Sequence, residues 1–129
     1  MHQGSCLCGQ VTYTLDETLH RIDLCHCSVC RKAHGTVLSA GASVSASAFN
    51  ITTGNELLSN FESSPGKRRF FCANCGTHLF ARTTAKPDTV RLRVATLDTA
   101  LANPEVKILH LESAVSWFAS SVEYRIPEA

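Results

Sequence analysis

Seven cysteines stand in three tight groups along this chain: Cys6 and Cys8 as C-x-C, Cys25, Cys27 and Cys30 as C-x-C-x-x-C, and Cys72 and Cys75 as C-x-x-C. An odd count in groups this short does not read as a disulfide framework; the spacings place thiolates around metal ions. Segments distant in sequence therefore have to meet. Cys72 and Cys75 flank a two-residue turn, and Gly76 can take the left-handed conformation that folds the backbone under a metal. Cys6 and Cys8 leave an extended backbone on one face and converge if Gly9 turns the chain. Together the two pairs make four thiolates, a closed structural zinc site. Cys25, Cys27 and Cys30 are then left for a second zinc with three protein ligands and an open position, the pattern of catalytic zinc. Spacing alone leaves a rival pairing open, in which Cys27 and Cys30 join the Cys72 and Cys75 knuckle and Cys6, Cys8 and Cys25 are left over. His26, His34, His78 and His110 are candidate fourth ligands for the trio, each equally readable as a surface or hydrogen-bonded histidine.

Around these groups the pattern is mostly β. The 129 residues, 44% hydrophobic, suit one domain spanning 1–129. Val11, Tyr13 and Leu15 alternate with polar residues, the period of two of a half-buried strand. Val90, Leu92 and Val94 alternate with Arg91 and Arg93, which puts the arginines on the face opposite the apolar set. The stretches "RRFFC", "THLFAR" and "VKILHL" also read as strands, and two more are predicted around Phe49–Ile51 and Leu57–Phe61. One short helix is predicted after Cys27, ending at Gly35. No linker or internal repeat is visible.

A formal net charge of +1 gives no global drive toward nucleic acid or an acidic membrane surface. No leader-like start and no apolar run of membrane-spanning length is present, so the expected setting is cytoplasmic, with neither nucleic acid nor membrane as partner. Local basic groups, Arg31 and Lys32 beside the trio and Lys67 to Arg69 on a candidate strand, offer partners for an anionic ligand near the metal. Oligomeric state has no signature in the sequence.

The ordered segments "GSCLCGQVTY", "CHCSVCRKAHG", "FCANCGTHLF", "TLDT" and "HLESAVSWF" resemble the glutathione-dependent formaldehyde-activating enzyme family, shared with the centromere protein V group. The resemblance implies a zinc-stabilised, Mss4-like β fold (a β-tent). It also implies two zinc ions per chain: a structural one on Cys6, Cys8, Cys72 and Cys75, and a reactive one on Cys25, Cys27 and Cys30. The activity it implies is that of a carbon–sulfur lyase joining glutathione, as co-substrate, to formaldehyde. Small-molecule thiol and aldehyde would then be the partners, with Arg31 or Arg69 contacting the thiol's carboxylates. The chain departs from many members at Ala114, where they carry a lysine shortly before the late tryptophan. A noncatalytic zinc-scaffolded binding protein is the alternative, separated from the enzyme by whether the trio's metal has a fourth protein ligand.

Overall fold

A computed structural model describes residues 1–121 of the chain. In order, the elements are β1 (His2–Ser5), β2 (Thr12–Leu15), β3 (Arg21–Cys25), α1 (Ser28–His34), β4 (Ser39–Ser45), β5 (Phe49–Thr53), β6 (Leu58–Ser64), β7 (Lys67–Cys72), β8 (His78–Thr83), β9 (Thr89–Arg93), β10 (Glu105–Leu109) and α2 (Ser116–Ser121). The described residues form a mostly β structure with two sheets. One has the order β1-β2-β5, and the other runs β10-β3-β4-β9-β8-β7-β6. Neighbouring strands are antiparallel except β10, which lies parallel to β3. No helix among the described residues is long and apolar enough to cross a membrane.

The core lies where the inward faces of the two sheets meet. Val11, Tyr13 and Leu15 are buried as their alternation predicts, together with Phe49 of β5. From the larger sheet Val44, Phe80, Val90 and Leu92 join the same apolar cluster. Aromatic rings knit the layers: Tyr13 to Phe49 at 5.2 Å between centroids, Phe49 to Phe80 edge-on at 5.0 Å, and Phe80 stacked on Phe70 at 4.7 Å. The Tyr13 hydroxyl is satisfied by Thr96 Oγ1 at 2.7 Å, and burial pushes its ionisation up to about 12.

Several segments differ from what periodicity predicts. β9 stops at Arg93, and Val94–Thr96 turn as a 3-10 helix, although Val94 stays buried. The "VKILHL" strand ends at Leu109, and His110 follows in the left-handed region at φ 56°. β10 is an edge strand with Val106 and Ile108 exposed, so its apolar pattern does not mark core. β1 and β4 carry too little apolar alternation to be read as strands, and β3, where Ile22 and Leu24 alternate with Arg21 and Asp23, is not among the predicted ones. β4 is nonetheless central, and its small residues are tolerated there because neighbouring side chains cover it.

Register fixes what the second face of the larger sheet carries. Directly paired residues share a face. Arg69 of β7 pairs with Ala81 of β8, Ala81 with Arg91 of β9, and Arg91 with Ser43 of β4. Arg93 pairs with Gly41, Gly41 with Asp23, and Ser39 with Cys25. The face away from the three-stranded sheet is thus lined with arginines, small residues and the first thiol of the trio.

Packing of β1 on β2 leaves no room at Gly4, where a Cβ would overlap the Tyr13 ring. Gly4→Ala is therefore expected to displace Tyr13 from Thr96 and cost about 1–3 kcal/mol. A lowered urea midpoint with an unchanged denaturant slope would register that loss.

Candidate metal centres and the cavity beside the cysteine trio

The first centre forms where the turn after β1 meets the turn after β7. Gly9 adopts φ 77° and its N–H reaches the Cys6 carbonyl at 3.0 Å, while the Val11 N–H points at Cys6 Sγ at 3.3 Å. Gly76, at φ 80°, donates to the Cys72 carbonyl at 2.7 Å. Both glycines thus fold the chain as the sequence predicts. Thr77 Oγ1 links the two turns, accepting from Leu7 N–H at 3.0 Å and contacting Cys75 Sγ at 3.2 Å. The sulfurs of Cys6, Cys8, Cys72 and Cys75 all lie within 4.8 Å of one another. Cys6 and Cys8 are 3.5 Å apart, and Cys8 and Cys72 3.9 Å. A tetrahedral zinc with bonds of about 2.3 Å needs sulfurs about 3.8 Å apart, so spacing and donor chemistry both fit the ion.

The second centre is local. Cys25 closes β3, and Cys27 is the N-cap of α1, its Sγ accepting from the Cys30 N–H at 3.3 Å. Gly35 ends the helix at φ 62°, as expected. The strand end and the capped turn bring the sulfurs of Cys25, Cys27 and Cys30 within 4.8 Å of one another. Among the described residues no histidine, carboxylate or further cysteine joins them. His26 is buried, its ring tilted against Phe118 at 5.4 Å. His34 faces Arg69 Nη1 at 3.4 Å and His78 at 4.8 Å between ring centroids. His110 lies on the wall of the cavity that opens beside the trio.

That cavity, about 330 Å³, is bounded by the trio, Ser39, Lys67, Arg69, Arg91 and Arg93 among others. Arg69 is buried, with Nε donating to Ser63 Oγ at 3.0 Å and Nη2 reaching Cys30 Sγ at 3.9 Å. Burial opposes ionisation of Cys30, yet hydrogen bonds from Ser39, the two neighbouring thiols and Arg69 outweigh it and bring the thiol down to about 6. Arg31 is placed elsewhere: its Nε donates to the His26 carbonyl at 3.2 Å, and it is not on the cavity wall. Arg91 and Arg93 are site residues that the sequence pattern puts on the polar face without giving them a role. Their alternation is visible there, but only strand register aligns that face with Cys25 and Arg69.

Comparison with known proteins agrees with this layout. The model of the family described as glutathione-dependent formaldehyde-activating enzyme matches residues 1–112. The chain belongs to that family. A Halomonas elongata protein named for the family is 29% identical over 126 residues, covering 89% of this chain and 78% of the relative. One from Phaeosphaeria nodorum is 32% identical over 77 residues, 60% of this chain but only 40% of the relative, so this family member spans about two fifths of that relative's length. A crystal structure of a Rhodobacter sphaeroides protein aligns with a TM-score of 0.65 at 26% identity, over 82% of this chain and 98% of the other.

The cations around the trio leave a titration signature on this family member. Burial, then Arg93, His78 and Arg69, pull His34 down to about 3. Since that lies below the ordinary imidazole value, the unfolded chain takes a proton that the native site refuses as pH falls below about 6.5. His34 therefore subtracts stability on the acid side and nothing above neutrality. Nitrogen-15 spectra recorded from pH 8 to 5.5 should show its ring staying neutral throughout; a midpoint near 6.5 would contradict the assigned environment.

Proposed function

We propose that this chain works as one zinc-binding domain over residues 1–129, a carbon–sulfur lyase-type enzyme acting on an adduct of glutathione, or a similar thiol, with an aldehyde such as formaldehyde. The observation that carries this reading is the three-sulfur cluster, which has no fourth protein ligand among the described residues and opens on a cavity. A closed four-thiol arrangement would serve architecture alone. Family membership supports the substrate class, because the family's name couples glutathione with formaldehyde.

In this proposal Cys6, Cys8, Cys72 and Cys75 hold a structural zinc, and Cys25, Cys27 and Cys30 hold a reactive one. When bound there, zinc supplies Lewis acidity and keeps a thiol ionised at neutral pH. The protein's own groups do the rest. Arg69 balances thiolate charge beside Cys30, and the Cys27 cap on α1 orients the Cys30 backbone. Strands β3, β4, β7 and β9 supply a rigid wall against which a small thiol and an aldehyde are held together. In the condensation a bond forms between the thiol sulfur and the aldehyde carbon, and the thiol proton ends on the former carbonyl oxygen. The reverse direction returns thiol and aldehyde.

The two centres are expected to respond differently to loss of a ligand. Structural zinc contributes apparent binding energy of roughly 10–16 kcal/mol, comparable with the roughly 5–15 kcal/mol that keeps a domain folded. Cys75→Ser should therefore give insoluble or molten material. Cys30→Ser should stay folded, hold about one zinc where the wild type holds two, and lose thiol-dependent activity toward formaldehyde. Metal analysis with circular dichroism and thermal melting decides the matter, and collapse of both variants alike would remove the division of labour. Calorimetry of the zinc-loaded protein with glutathione tests the substrate: no saturable binding at millimolar concentration would leave the noncatalytic, zinc-scaffolded reading in its place.

A further inference from the structure

Arg68 of β7 stands directly opposite Arg82 of β8, and the next pair along the same face is Phe70 opposite Phe80. Register carries this face on from Arg82 to Val90 of β9 and Val44 of β4, so it is the inner face of the larger sheet, not the one that bears the trio. Both arginines are exposed, which puts the pair at the margin where that face reaches solvent. Like charges directly across a ladder repel, so the pair counts against the sheet that carries it.

One of the two cations is answered. Arg68 Nη1 donates to Asn60 Oδ1 at 2.8 Å, and its Nη2 to Glu62 Oε2 at 3.1 Å. The other oxygen of Glu62 accepts from the Gly66 N–H at 3.1 Å, so both oxygens of that carboxylate are engaged. Arg82 has no hydrogen bond and no carboxylate among the described residues. Its guanidinium carbon lies 5.7 Å from the centroid of the Phe80 ring, close to the outer limit of a cation–π contact. Lys86, on the turn between β8 and β9, likewise has no ion pair among the described residues.

These groups border a cavity of about 490 Å³, lined by Arg68, Phe70, Arg82 and Lys86 with Thr84 and Thr89 among others. That volume falls in the range of roughly 300–1,000 Å³ of small-molecule sites and exceeds what a bare inorganic ion fills. Glu62 is the acid on its wall and cancels Arg68, so Arg82 and Lys86 leave two positive charges over. Phe70, stacked on Phe80 at 4.7 Å with 8° between the planes, adds an aromatic wall. The rim is tied in place: the Thr84 N–H donates to the Gly66 carbonyl at 2.8 Å, and the Lys86 N–H to the Thr83 carbonyl at 3.0 Å. A Cβ on Gly66 would stand 2.7 Å from Thr84 Oγ1, so the glycine lets the two turns close on each other. None of Arg68, Phe70 and Arg82 borders the trio cavity.

We infer that this cavity is a second ligand site, which takes a phosphate monoester on a planar, apolar body, with the phosphate against Arg82 and Lys86 and the ring against Phe70. A guanidinium fork matches phosphate oxygens, an ammonium adds a point charge, and a dianion matches two unanswered cations. The tied rim holds these groups before the ligand arrives, which lowers the ordering that binding requires. Nothing in this assignment depends on the chemistry of the trio.

The test titrates zinc-loaded full-length protein with phenyl phosphate, phenol and inorganic phosphate, followed by calorimetry and by amide nitrogen-15 spectra. At about pH 8, where the ester is doubly ionised, phenyl phosphate should bind saturably and move the amides of Gly66, Thr84 and Lys86, leaving those of Ser39 and Gly41 on the other face unmoved. Phenol, which lacks the dianion, and inorganic phosphate, which lacks the ring, should each bind at least about tenfold more weakly. Arg82→Gln should weaken phenyl phosphate about tenfold and, because it removes a like-charge pair, melt no lower than the wild type. Lys86→Gln, on an exposed turn, should weaken it in the same direction. The inference is overturned if phenyl phosphate shows no saturable binding at millimolar concentration, binds no more tightly than phenol or inorganic phosphate, or shifts amides of the trio face alone. These results are read on the wild type and need no variant to fold. Arg82→Gln protein that binds phenyl phosphate as the wild type does overturns it equally.

Discussion

Ser39, Gly41 and Ser43 alternate with Ala40, Ala42 and Val44 along β4, and the rest of the molecule depends on the first three being small. The apolar set packs toward the three-stranded sheet and helps to close the core. The small set leaves a shallow floor on the opposite face, over which the guanidiniums of Arg91 and Arg93 of β9 lie. A central strand with bulky residues on both faces would have buried the second face under hydrophobic cover. Here it carries guanidinium groups, and the cysteine trio is hung at its edge from the end of β3.

Electrostatics and metal binding are joined by this layout. Clustered arginines repel one another, and clustered thiolates do so equally; each set is tolerable because the other lies across the cavity. Arg69 is the contact between them, buried and within reach of Cys30. Burial, with the neighbouring cations, holds His34 and His78 below the ordinary imidazole value, and neither is gathered into the trio's ligand cluster.

Much of this was legible in the sequence, for identifiable reasons. Gly9 was read as a turn, Gly35 as a helix end and Gly76 as left-handed, and all three have positive φ, a conformation nearly closed to other residues. The alternations of β2 and β9 were read correctly, since each has a buried face. β4 was not legible, because Ser, Ala and Gly carry no hydrophobic period, and β10 was legible for a misleading reason, its apolar residues standing on an exposed edge. The grouping of sulfurs was read from spacing with one ambiguity, and the turns after β1 and β7 bring the sulfurs of Cys6, Cys8, Cys72 and Cys75 together. Arg91 and Arg93 escaped as site residues because their neighbours come from β4, β7 and β8, and pairing between strands so distant in sequence leaves no local mark.

The two sulfur clusters also differ in span. Cys25 to Cys30 lie within six residues, so a metal ion can be gathered by a segment that has not yet folded. Cys8 and Cys72 are 64 residues apart, and their cluster requires closing a loop that holds five strands between them. During synthesis Cys6 and Cys8 emerge first, and the trio is complete some forty residues of chain before Cys72 appears. A nascent chain therefore completes its sulfur clusters in a set order, the trio first and the four-thiol cluster later. Until the later cluster forms, the early one is a short, flexible chelator with no wall of arginines around it, exposed to whatever ions and oxidants the surroundings hold.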